Sequence, residues 1–103
     1  MPDSRLQDPM GRTIVLHDRT WFGHILKRHP DMARRRRAVH EAIGDPQQIV
    51  ISASDADCRL YFGAPNKAGI MVVVVADVVV GVVLTAYRTG RVKGAIEWSR
   101  PIH

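Results

Sequence analysis

The chain has 103 residues, 46% of them hydrophobic, which suffices for one core burying roughly two-thirds of the unfolded surface and is too little for a second domain. Fifteen Lys and Arg against ten Asp and Glu give a net charge of +5 and a pI near 10.1, so the surrounding field favours anionic partners, nucleic acid ahead of phospholipid. Cys58 is the only cysteine, which excludes an intramolecular disulfide and suits a reducing cytoplasm. Residues 1–12 are polar and punctuated by proline, without the basic start and apolar block of a signal peptide; they read as a flexible segment ahead of a single domain at 13–103.

Residues 13–17 have strand composition, and Asp18 or Thr20 can cap a following helix that Pro30 ends. Asp31 can cap a second helix over 32–43, which Gly44 closes in a left-handed turn before Asp45-Pro46. Residues 48–53 and 58–62 read as paired strands with a turn at 54–57. Residues 70–84 are the most apolar stretch, yet they hold Asp77 at their centre, fall short of the ~20 residues of a spanning helix, and are rich in β-branched valine. No membrane span is expected there. Two strands, about 68–75 and 78–88, with a turn near Ala76-Asp77 and Gly81 as a candidate bulge, explain the stretch better. A short edge strand is expected around 95–98. The expected fold is α+β: two N-terminal helices packed on a four-stranded, or with that edge five-stranded, antiparallel sheet.

Strand alternation groups Cys58, Leu60 and Phe62 on one face, for the helices to cover, and Arg59 with Tyr61 on the other. Thr85 and Tyr87 can share that second, open face. On the first helix Trp21, Phe22, Ile25, Leu26 and His29 form one stripe, Lys27 faces solvent and His24 lies at the margin. His29 sits at a helix C-terminus, where the dipole favours the imidazolium. The run Arg34 to Arg37 points four ways around a helix; Arg36 falls beside the apolar stripe and must snorkel or reach a partner.

The histidine spacing is not that of a helical zinc pair, one cysteine cannot build a zinc site, and no acidic cluster suggests magnesium, so neither metal nor other cofactor is expected. A Gly-rich phosphate loop and a serine elbow are both missing. Metal-independent RNA cleavage asks only for a base at the ribose 2′-OH, an acid at the leaving oxygen and fixed cations.

In order, His24-Ile-x-x-x-His29-Pro-Asp, Ile43-Gly-Asp-Pro46, Arg59-x-Tyr61, a valine-rich strand and Val83-Leu-Thr85-Ala-Tyr87 resemble the small phage and bacterial nucleases grouped with barnase, EndoU, colicin and RelE toxins, the BECR superfamily. The resemblance covers about residues 13–98. It implies a toxin-type or phage-conflict endoribonuclease leaving 2′,3′-cyclic phosphate ends, with His24, His29, Arg59, Tyr61, Thr85 and Tyr87 as catalytic residues. Lys27, Arg28, Arg36 and Arg88 are the expected RNA-binding residues. The expected partners are RNA and a neutralising antitoxin or immunity protein. Two rivals stand beside this reading: a non-catalytic RNA-binding or regulatory domain of the same fold, and a small structural protein that dimerises through a sheet edge.

Overall fold

Valine fits a pleated, half-buried surface, and the longest strands of the computed structural model, which describes residues 3–102, lie where the valines crowd. The strands are β1 (Ser4–Gln7), β2 (Thr13–Leu16), β3 (Gln48–Ile51), β4 (Cys58–Phe62), β5 (Met71–Asp77), β6 (Val82–Thr89) and β7 (Ala95–Ser99). Between β2 and β3 run α1, residues 18–28, a 3-10 turn at Pro30–Met32, and α2 (Arg36–Gly44). Among the described residues no helix is long and apolar enough to cross a membrane.

One sheet contains all seven strands in the order β1-β2-β6-β5-β4-β3-β7. Its pairings are antiparallel except β2 with β6, which run parallel through the single pair Val15↔Val82. The sheet curls into a half-barrel: Arg12, in the β1–β2 loop, reaches Glu97 on β7, at the other end of the strand order, over 2.7 Å. α1, the 3-10 turn and α2 supply Trp21, Ile25, Met32, Val39, Ala42 and Ile43 to a core shared with Ile14, Tyr61, Val74 and Ala86 of the sheet. A smaller cluster of Val50, Phe62, Met71 and Val73 occupies the opposite face.

This corrects the expected four- or five-stranded antiparallel sheet carrying two helices. The sheet has seven strands and is mixed, and α2, nine residues long, is the only regular α-helix of more than one turn among the described residues. α1 changes its winding midway: Asp18–Thr20 and Leu26–Arg28 are α, whereas Trp21–Ile25 is a π turn in which Leu26 N–H donates to Trp21 O. The second helix starts at Arg36 rather than residue 32, because Pro30–Met32 winds as 3-10 and Arg34 takes φ 66°. Gly44 remains inside α2 without a positive φ.

Ser4–Gln7, within the segment read as flexible, pairs with β2 from Ser4↔Leu16 to Gln7↔Thr13. Just ahead of it, Asp3 Oδ1 accepts from Asp18 N–H at 2.8 Å, satisfying a free donor at the start of α1. The β5–β6 hairpin forms as expected, but its turn lies two residues later, at 78–81. Asp77 organises that turn, accepting at Oδ1 from Val79 N and Val80 N and at its carbonyl from Gly81 N.

Gly81 secures the parallel junction. Its carbonyl accepts from Val15 N at 2.8 Å, its φ is 85°, and a Cβ there would stand 2.8 Å from Thr13 O. Gly81→Ala is therefore expected to lower stability by more than about 1 kcal/mol, which for a domain of this size is a fall of roughly 4–8 °C in Tm per kcal/mol. Thermal unfolding followed by circular dichroism measures it; an unchanged Tm would show that the junction does not depend on this glycine.

Candidate functional site

The sequence-expected site residues separate into two groups with β5 between their strands. The first is internal. Asp8, its side chain fully buried, accepts at Oδ2 from Tyr61 Oη at 2.6 Å and Arg12 Nε at 2.7 Å, and at Oδ1 from the backbone N–H groups of Met10 and Arg12. Arg12 also donates to Glu97 Oε1 at 2.7 Å, and Glu97 Oε2 accepts from Arg59 Nε at 2.8 Å. Glu97 can serve both arginines because it is the extra residue of a bulge: Ile49 pairs with Trp98 and Val50 with Ile96, leaving Glu97 outside the ladder.

Two carboxylates and two guanidiniums balance in this chain. Burial pushes the Asp8 carboxyl up, but bonds from Tyr61 and Arg12 outweigh it and hold it below the ordinary range; Glu97 is lowered in the same way by Arg12 and Arg59. Tyr61 is shifted upward by burial and by its bond to Asp8, so its phenol keeps its proton. The alternation of Arg59 and Tyr61 is as expected, yet they face the helix-covered core rather than an open face. Arg59 is further tied by Nη1 to the carbonyls of Ala56 and Cys58. Both residues brace the half-barrel.

The second group lies where α1 meets β6. His24 sits half-buried on the π turn, and Lys27 and Arg28 are exposed in the last turn. His29 follows as the C-cap, and its ring lies 5.9 Å from that of Tyr87, tilted by 38°. Thr85 and Tyr87 share a face of β6, opposite Val75 and Val73, and that face is the one carrying Phe62 and Val73. Thr85 follows Leu84, the extra residue of a second bulge, and its Oγ1 is shielded from solvent without a hydrogen-bond partner. Arg88 comes next along the strand, its Nη1 3.9 Å from Asp31 Oδ2.

Arg36 reaches a partner inside the protein. It is buried, pairs with Asp18 at 2.7 Å and lies over the Trp21 ring at 5.8 Å, tying α2 to α1. Asp8, Arg12 and Glu97 escaped the sequence reading. The run Asp8-Pro-Met-Gly11 could have marked a turn between two strands, since Gly11 takes φ 85° and donates to Asp8 O; nothing in the sequence pairs Arg12 with Glu97.

A search of protein families, curated proteins and solved structures finds no match to this chain. Its own residues carry the functional argument. Among those described, no three of His, Cys, Asp or Glu gather as a metal site requires.

Proposed function

We propose that the chain is a metal-independent RNA endonuclease of toxin or phage-conflict type, working in the cytoplasm and held in check by an antitoxin or immunity protein, with its reaction site at the α1–β6 edge. The observation that carries this reading is the contact of His29 with Tyr87, which shares its face of β6 with Thr85 and adjoins Arg88 along the strand. A π turn, which holds His24, is a winding frequent at functional sites. In this reading one histidine takes the proton of the ribose 2′-OH, whose oxygen attacks the adjacent phosphorus. The 5′-oxygen leaves with a proton from the second histidine or Tyr87, giving a 2′,3′-cyclic phosphate. Arg88, on the other face of β6, holds an adjoining phosphate of the same RNA strand, and Lys27 and Arg28 draw in the backbone.

The rival reading, a non-catalytic RNA-binding domain, draws support from the internal bonds that occupy Arg59 and Tyr61. Purified protein incubated in EDTA with an RNA and a DNA of one sequence separates the two. We expect the RNA to be cut, with cyclic phosphate ends, and the DNA to remain whole. Loss of cleavage in EDTA or equal cutting of DNA would overturn the mechanism; salt-sensitive binding without cleavage would favour the rival.

A further inference from the structure

Away from the histidines, a cleft of about 250 Å³ opens between α2 and the β4–β5 loop. Drug-sized pockets begin near ~300 Å³, so this one suits a small group or one end of a longer ligand. Three arginines reach it from separate parts of the chain: Arg35 at the start of α2, Arg88 on β6 and Arg100 just after β7. Arginines gathered around one cavity repel one another unless anions lie among them.

The internal anions do this incompletely. Arg100 Nη1 meets Asp45 Oδ1 at 2.9 Å, but Arg88 stands 3.9 Å from Asp31, beyond hydrogen-bond length, and Arg35 gives its Nε to the Asp31 backbone carbonyl at 3.0 Å. Glu41 and Asp45 are the acids of the lining, so three arginines face two lining carboxylates, with Asp31 outside it at 3.9 Å from Arg88.

The walls are shaped before any ligand arrives. Gly63 and Ala42 form the floor, and a Cβ on Gly63 would already touch Ala42 Cβ at 3.5 Å and Val72 O at 3.4 Å. Asn66 Oδ1 holds the rim by accepting from Ala68 N at 2.9 Å and Ile70 N at 3.0 Å. Binding therefore asks for reorientation of the arginine side chains and not of this floor and rim.

We propose that this cleft is a phosphate-binding site, in which an oxyanion takes the place of Asp45 on Arg100 and bridges Arg35 and Arg88. Guanidinium forks match phosphate oxygens two at a time, and three forks suit a group with three or four oxygens better than they suit a planar carboxylate. The phosphate comes from a terminal monoester or from a backbone diester. The backbone source rests on the RNA-cleavage reading: Arg88 adjoins Tyr87, so a polynucleotide with one phosphate at the α1–β6 edge can set another in the cleft.

Arginine Nε–H resonances titrated with inorganic phosphate, then with DNA tetranucleotides with and without a 5′-phosphate, test this. We expect the signals of Arg35, Arg88 and Arg100 to shift. The double variant Arg35→Ala, Arg100→Ala should weaken phosphate binding about tenfold or more, whereas Arg5→Ala, at an exposed position of β1 outside the lining, should not. Asp45→Asn should tighten binding by removing the competing carboxylate. Binding of the unphosphorylated tetranucleotide identifies a diester ligand; binding of the phosphorylated one alone identifies a monoester. Absent shifts, or equal weakening by Arg5→Ala, would overturn the site. Phosphate binding without RNA cleavage would keep this site and overturn the proposed reaction; cleavage without phosphate binding would do the reverse.

Discussion

Asp8→Ala is expected to remove about 3–5 kcal/mol of stability in urea denaturation at neutral pH, the scale of breaking a buried ion pair from one side. The loss is large because four donors lose their acceptor together: the Tyr61 hydroxyl, Arg12 Nε and two backbone N–H groups. Tyr61→Phe removes one of those bonds and no charge, so roughly 1.5–3 kcal/mol should follow. A domain stable by about 5–15 kcal/mol is brought near its threshold by the first change and not by the second.

The same brace sets the response to acid. Asp8 and Glu97 are held below their ordinary carboxyl range, so their contribution is complete above the unfolded-state values and disappears as pH falls through the lower, folded ones. Wild type should lose stability in that acid window, and Asp8→Ala should lose less. A Asp8→Ala cost under about 1 kcal/mol, or an acid profile equal to that of wild type, would show that the brace is not what closes the half-barrel.

His29→Ala is expected to slow RNA cleavage about 10²–10⁴-fold while leaving RNA affinity nearly unchanged, the signature of a lost proton-transfer group. Single-turnover rates with excess protein read the chemical step directly. The pH profile of kcat/KM should be bell-shaped in wild type and lose one limb in the variant. His24→Ala should remove the other limb. Retention of the full rate by the double variant would assign the chemistry away from α1. Arg88→Ala should weaken RNA affinity and lower kcat/KM while leaving the single-turnover rate at saturating protein nearly unchanged, because a cation that holds a neighbouring phosphate acts on the ground state and the transition state alike.

How much of this was legible depends on the range of the forces involved. The hairpin over residues 70–84 could be read from valine density and Asp77, since both act locally. The faces of β4 could be paired but not assigned: alternation puts Arg59 with Tyr61, while the choice of side follows from Asp8 and Glu97, which are remote in sequence. The parallel contact of β2 with β6 consists of one residue pair and leaves no periodic signal. Likewise, Tyr87 and His29 were each visible as candidates, but their meeting depends on how the π turn and Pro30–Met32 aim the end of α1.

The bond between Arg12 and Glu97 spans 85 positions of a 103-residue chain. Closing so long a loop carries an entropic cost that a single contact cannot offset until the strands between are already paired. The latch therefore belongs late in folding, and a chain still being synthesised has Asp8, Arg12 and Tyr61 in place long before it has Glu97. Substitutions at Glu97 should accordingly act on the rate of unfolding far more than on the rate of folding, making this one bulged residue a control on how long each folded molecule survives.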